Sequence, residues 1–294
     1  MSTLGEILSP SFLLRDALVG SVLVGLVCPL IGAYFVLRRM IFLGVALPQL
    51  SAAGIAFSFI AYRLVVGPHE HGNVSERTVA MIGAFGFTVT GILVLAAFER
   101  RGRDTVEARI GITYAVSAAL TILFLAADPH GDAQIVNLLK GDILATTSAS
   151  LNVLGGVLGV VVLVLFAFRK EFLLVSFDRD LAVVFGKRAG LWDGLLYLMI
   201  GITISLGVMT AGPLVTFGFL IVPTLTARLV TRRMLSFSLV ASAIGGAAAF
   251  GGFYYSYRLD LPLGPAEVTF ASLVLLVVGT AKAAWQAVSR VRAS

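Results

Sequence analysis

Charge, histidine and cysteine are scarce in this chain, and each scarcity removes a class of function. A single cysteine, Cys28, in 294 residues excludes an internal disulfide and a cysteine-rich metal centre. The three histidines, His69, His71 and His130, all fall in polar stretches between apolar runs. No span therefore carries the histidine beside a serine or aspartate that an intramembrane hydrolase requires. Charged residues make up 13% of the chain, and the acids Asp128, Asp193 and Glu267 stand near the ends of apolar runs rather than at their centres. Carriers driven by an ion gradient keep such groups at mid-membrane depth, so the driving energy is expected from another subunit. The sequence also has no Gly-x-x-x-x-Gly-Lys-Ser/Thr loop to cradle phosphates, so this chain is expected to bind no ATP and no cofactor of its own.

What fills the chain instead is apolar surface. Hydrophobic residues reach 58% and mean hydropathy is +0.98, far more than one soluble core can bury. Runs long enough to cross about 30 Å of hydrocarbon can be drawn at 13–37, 42–66, 78–98, 107–127, 150–168, 193–210, 213–229, 235–257 and 266–287. The fold expected is an all-α polytopic membrane protein of eight or nine spans, with the short seventh run the least regular. No low-complexity linker interrupts them, so residues 1–294 read as one integral domain. The opening "MSTLGEILSPSFLLRDALVG" has no basic n-region and no small-residue cleavage pattern, so no removable signal peptide is expected.

Basic residues orient the spans. Seventeen of the 22 lysines and arginines fall in alternate connections and the C-terminal segment, among them Arg38, Arg39, Arg100, Arg169, Lys187, Arg228 and Lys282; five, including Arg15, Arg77 and Arg258, fall on the opposite side. The positive-inside rule then places the N-terminus outside and the C-terminus in the cytoplasm. The net charge of +6 sits where anionic lipid attracts it, so a bilayer partner accounts for it and a nucleic acid is not required.

Two kinds of residue break the apolar runs. Glycines cluster in Gly155-Gly156-x-x-Gly159 and in "SAIGGAAAFGG" (242–252), which fits close helix packing in lipid. Pro29, Pro48 and Pro223 each remove a backbone donor, and in lipid a broken helix is tolerated only against protein or a water-filled cavity. "MTAGPLVTFGFLIVPTLTARL" (209–229) therefore predicts a short or discontinuous helix, either kinked for packing or lining a pathway. In "FLGVALPQL" (42–50), Pro48 is expected to free or strain the carbonyl of Gly44 beside the amide of Gln49.

The stretch "RKEFLLVSFDRDLAVVFGKRAGLWDG" (169–194) is too polar to span and too periodic for a plain loop. Phe177, Leu181, Val184 and Phe185 recur at helical spacing among Asp178, Arg179, Asp180, Lys187 and Arg188, which predicts a short surface helix over 177–188. Ala182 and Gly186, four apart, suggest a notch for another protein. A helix lying on the bilayer would use the same residue types.

From Asp178 onward the chain resembles the permease subunits of metal-type ATP-binding cassette importers, the ABC-3 family of zinc and manganese uptake systems. Asp178, Ala182, Gly186, Ile221, Pro223, Ala227 and Arg228 match that family's pattern, and "GAYFVLRRMIFLG" (32–44), "NLLKGDILATTSASL" (137–151) and "LDLPLGP" (259–265) agree with it. The resemblance implies a type II importer permease in a bacterial plasma (inner) membrane. Its partners would be a second permease copy, two ATP-hydrolysing subunits that carry ATP and Mg, and an external substrate-binding protein. It implies that 177–188 is the coupling helix, with Asp178, Arg179, Asp180, Ala182, Gly186 and Lys187 facing or supporting the ATPase.

At one place the chain departs from its relatives. Family members commonly read "LGDALSHA" in the second span, where an Asp and a His one turn apart ligate one metal ion; here Val45 and Gln49 stand at those positions. Gly44, Val45, Pro48, Gln49 and Pro223 remain the expected path-lining set, with Gln49 offering only a neutral oxygen. Other metal candidates are the loop residues His69 and His71, and Glu267, which stands either at an external vestibule or as a solvated acid at a helix start. Three readings stay open: the cargo is a metal ion selected by the delivery protein, it is a metal complex or another small solute, or this chain is a partner subunit whose metal site lies elsewhere. An ATP-independent channel or facilitator is the remaining alternative.

Overall fold

The computed structural model describes residues 12, 14–66, 76–99, 106–127, 148–231 and 233–291. These form ten helices: α1 (Arg15–Leu37), α2 (Leu43–Val66), α3 (Glu76–Glu99), α4 (Val106–Ala127), α5 (Ser148–Ala167), α6 (Arg169–Phe177), α7 (Arg179–Val184), α8 (Ala189–Val230), α9 (Met234–Leu259) and α10 (Leu263–Val291). Eight of them are long and apolar enough to cross a membrane. Helices suit this composition because each backbone donor is satisfied within its own segment, away from water. Buried hydroxyls follow the same logic: those of Thr88, Thr203, Ser205 and Thr210 each donate to the carbonyl four residues earlier.

The runs read as sixth and seventh spans form one 42-residue element, α8. At 1.5 Å per residue it would be about 63 Å long if straight, twice the hydrocarbon thickness. It is not straight. Gly212 has φ 82° and ψ 167°, a backbone region open essentially to glycine alone. The chain folds back there, so that a methyl built on Gly207 would meet the Thr216 side chain at 2.9 Å, nine residues on. Asp193 at one extremity and Ala227 at the other both reach the C-terminal end of α1, through Arg38 and through Ala33 and Val36 respectively. The eight long helices therefore provide nine membrane-directed segments, and the discontinuity lies at Gly212 rather than at Pro223.

α1 and α8 form the centre of the protein and are mostly buried, whereas α4 and α10 expose most of their length. α9 packs along α1 at backbone contact. A side chain on Gly25 would strike the Gly245 carbonyl oxygen at 2.7 Å, and one on Gly245 would fall on the Gly25 carbonyl in turn. Dispersion between such closely apposed backbones is the main attraction available between helices in lipid. Ser242 Oγ reinforces it by donating to the Leu26 carbonyl at 2.7 Å. Gly245 and Gly246 of the "SAIGGAAAFGG" cluster thus form the seam between α1 and α9, while its last two glycines face Phe270 and Glu267 of α10. The second cluster differs: a methyl on Gly156 or Gly159 would meet nothing within 4 Å.

Candidate functional site

The segment expected to be one helix over 177–188 is instead broken. α6 ends at Phe177, Asp178 is extended (φ −150°, ψ 104°), and its carboxylate accepts the Leu181 N–H at 2.9 Å to cap α7. A short polar side chain offering that bond competes with helix continuation, which is why the break falls on Asp178. α7 stops at Val184, and Gly186 follows with φ 70°, so Gly186 and Lys187 lie beyond the helix. The notch expected from Ala182 and Gly186 is also divided. Ala182 is fully buried with Val175 and Ala189, against Leu174 and Trp192, and so faces its own chain. Gly186 is open: a methyl built on it would meet nothing within 4 Å among the described residues.

What α7 and its flanks present outward is Phe177, Leu181, Val183, Val184 and Phe185, all exposed, beside the exposed charges Asp178, Arg179 and Asp180. Two contacts hold this platform from behind. Lys187 Nζ meets Glu171 at 3.5 Å, and Phe172 of α6 packs edge-on against Tyr34 and Trp192 with ring centroids 6.2 Å and 6.0 Å away.

A buried ion cluster joins the platform to the end of α1. Arg38 Nη2 donates to Asp193 Oδ1 at 2.8 Å, its Nε to Ser176 Oγ at 3.0 Å and its Nη1 to Tyr197 Oη at 3.2 Å. Arg179 of α7 reaches the other Asp193 oxygen at 3.4 Å. The Arg38 and Asp193 side chains are only 12% and 10% exposed while Arg179 is 42% exposed, so the charge-assisted bonds of the inner pair are the strong ones. Asp193 thus holds two guanidinium groups at once, one from the first span and one from the platform. Composition treated Arg38 as an orientation marker and Asp193 as a span-end acid. The signal for their pairing was present nonetheless: an aspartate near the start of an apolar span needs a counter-charge.

The residues expected to line a path separate into packing and surface positions. α2 runs unbroken through Pro48, so the helix wall is not opened there. Gly44 is buried against Ile221, whose Cδ1 would lie 3.0 Å from an added methyl, and Pro48 is buried as well. Val45 and Gln49, one turn apart on one face, are half-buried. Pro223 is buried beside Thr224, whose hydroxyl reaches the carbonyls of Leu220 (2.8 Å) and, on α1, Pro29 (3.3 Å).

Glu267 corrects both of its expected placements. It is fully buried, neither at a vestibule nor solvated, because α9 narrows to glycine opposite it: a methyl on Gly252 would overlap the Glu267 backbone. Ser21 of α1 donates to its Oε1, and Oε2 has no hydrogen-bond partner among the described residues. His69 and His71 lie outside the described residues. Among the described residues no group of three or more His, Cys, Asp or Glu is arranged to hold a metal ion.

Comparison with known proteins agrees with this architecture. The ABC 3 transport family profile matches residues 11–282. The chain belongs to that family. As an ABC 3 member it is a multi-pass membrane permease, the transport component that works with an ATPase rather than the ATPase itself. It is 27% identical over 264 residues to the manganese transport system membrane protein MntC of Listeria monocytogenes, covering 90% of this chain and 89% of that protein. It is 26% identical to the manganese import system permease protein ScaB of Streptococcus gordonii over the same shares of the two chains. A probable iron transport system membrane protein of Haemophilus influenzae is 26% identical over 89% of this chain and 87% of its own. Among solved structures, PsaBC from Streptococcus pneumoniae in complex with Fab superposes with a TM-score of 0.77 over 94% of each chain at 23% identity. An inward-facing ABC transporter assigned to the metal-chelate type superposes at 0.70 with 15% identity, over 90% of this chain and 85% of its own.

Proposed function

We propose that this chain forms the membrane path of an ATP-driven importer whose cargo is a divalent metal ion, with manganese first among the candidates. The observation that carries the coupling half of this reading is the exposed α7 platform tied through Arg179 and Asp193 to Arg38. A platform that is apolar outward, charged at its edge and anchored by an ion pair suits a protein groove better than a lipid surface. Asp178, Arg179, Asp180 and Gly186 are its partner-facing residues, while Ala182 and Lys187 hold it in place. Movement of the ATPase would pass through Asp193 to the α1–α2 turn, and so to Val45 and Gln49. The manganese assignment is supported by the names of the two permeases that share about nine-tenths of the chain.

The assembly is a pair of permease copies over two ATPase subunits that carry the ATP and Mg, with an external binding protein selecting the cargo. The basic ends Arg38, Arg179, Lys187, Arg228 and Lys282 face the cytoplasm of a bacterial inner membrane, and the N-terminus lies outside. Residues 1–294 act as one permease domain. Val45 and Gln49 face the path and make it weakly liganding, so selectivity resides in the delivery protein.

A second reading is favoured by those same two residues: the cargo is a metal complex or other solute, because one neutral amide oxygen is a poor site for a free transition-metal ion. Uptake into proteoliposomes holding the chain, its ATPase and its binding protein separates the two. ATP-dependent accumulation of free manganese supports the ion. Delivery-protein-stimulated ATP hydrolysis without uptake of any free ion supports the complex. Uptake that needs no ATP and survives Gly186→Arg would overturn the importer reading in favour of a facilitator.

A further inference from the structure

At the basic end of the protein a groove of about 240 Å³ opens between α1, α5, α6 and α9. That is smaller than drug-sized ligand pockets, which begin at about 300 Å³. Its walls are Leu30 and Tyr34 of α1, Leu165 of α5, Leu173 of α6, and Met234 and Leu235 of α9. Leu30 lies two turns in from the end of α1, so the apolar wall runs about 10 Å into the span. The mouth carries Arg169 and Lys170, both exposed at the corner where α5 gives way to α6. Among the described residues no carboxylate lines the groove. The adjacent acid, Glu171, is already held by Lys187, and neither Arg169 nor Lys170 forms an ion pair among the described residues.

An apolar slot parallel to the spans with two free cations at its surface end has the chemistry of one lipid class. We propose that the groove holds an acyl chain of an anionic phospholipid whose phosphate is bound by Arg169 and Lys170. Cytoplasmic leaflets supply such lipids, and basic pockets between spans on that side are suited to their headgroups. A second copy of this chain fits the mouth poorly. The charges at the mouth are both positive, so a symmetric mouth-to-mouth contact would bring like charges together. The bound lipid pins the α5–α6 corner, and α6 leads directly into Asp178 and the α7 platform.

The test is native mass spectrometry of the full chain, co-purified with its ATPase in detergent, titrated with phosphatidylglycerol or phosphatidylcholine of identical acyl chains. Arg169→Gln with Lys170→Gln alters only exposed side chains and leaves the fold intact. Each surface cation contributes about fivefold to such binding, so the double variant is expected to hold phosphatidylglycerol roughly thirtyfold more weakly. Leu173→Trp fills the slot without changing charge and is expected to displace the same lipid.

Equal retention of the two lipids by the parent protein, or equal phosphatidylglycerol retention by parent and double variant, would show annular lipid only and overturn the proposal. Displacement by glycerol phosphate at the lipid's own concentration would mark a free phosphate site and overturn it too. An altered oligomeric state with unchanged lipid in Leu173→Trp would assign the groove to a second copy. None of these readouts depends on transport, so the cargo and coupling readings stand or fall separately.

Discussion

Asp193 accepts from two arginines in a place that excludes most water, and that doubles what its removal would do. Asp193→Asn leaves Arg38 buried without its counter-ion, a kind of loss that costs about 3–5 kcal/mol when one partner of a buried pair is removed. It also releases Arg179 and with it the platform. ATP-driven uptake is expected to fall tenfold or more, with ATPase subunits still bound through the exposed apolar face of α7. Adding Arg38→Gln to Asp193→Asn removes the stranded charge, so thermal stability is expected to recover while uptake stays low. Full recovery of uptake in the double variant would show that the pair stabilises without transmitting movement.

Glu267 invites the opposite expectation. Among the described residues its hydrogen bond comes from Ser21, and Gln offers an acceptor of the same shape, so Glu267→Gln should leave both uptake and melting temperature within experimental scatter. Loss of manganese uptake with unchanged melting would show instead that the carboxylate meets the cargo. Sequence position alone misplaced this residue. A glutamate two residues past Pro265 looks solvated until Gly252 is seen to let α9 close over it.

At the scale of elements, the hairpin inside α8 hinges on one residue. Gly212→Ala puts a Cβ into a backbone region with about 1–3 kcal/mol of strain, and the alternative of straightening would pull Ala227 away from Ala33 and Val36. A clear drop in melting temperature of the detergent-solubilised protein is expected, whereas Gly156→Ala, with nothing within 4 Å, should be silent. Apolar run length and the Gly212-Pro213 pair were enough to separate two segments here. They did not reveal that the segments stay hydrogen-bonded as helix almost up to the turn. For 177–188 the spacing of Phe177, Leu181 and Val184 predicts one helix, yet Phe177 closes α6 and the other two sit on α7, because Asp178 can serve as a cap as readily as a helix residue. Only its bond to Leu181 decided between them.

For the whole molecule, the direction of α9 and α10 follows from their contacts and gives a test of orientation. Leu261 stands at the turn between them and Arg233 at the far end of α9, so cysteines at these positions should be labelled from opposite sides. Cys28 is buried and stays silent in the background. Leu261→Cys is expected to react with an impermeant maleimide in whole cells, and Arg233→Cys only after the membrane is opened. The reverse pattern would invert the proposed topology.

Local pattern alone places this protein in a bilayer as a bundle of helices. Apolar run length, basic asymmetry and motif spacing are properties of neighbouring residues, and the membrane acts on them one span at a time. The family, too, was legible in Asp178, Ala182, Gly186 and the stretch ending at Arg228. Tertiary structure decided what depends on residues far apart in the chain: Arg38 finding Asp193, Ser21 finding Glu267, Ala182 turning inward, and two cations meeting an apolar slot made by four helices. Such pairings are set by the rotation and depth of each helix against its neighbours. No local pattern records those two quantities, because lipid supplies no hydrophobic force to orient one helix face against another, and side-chain packing and hydrogen bonds fix them only once the bundle has closed.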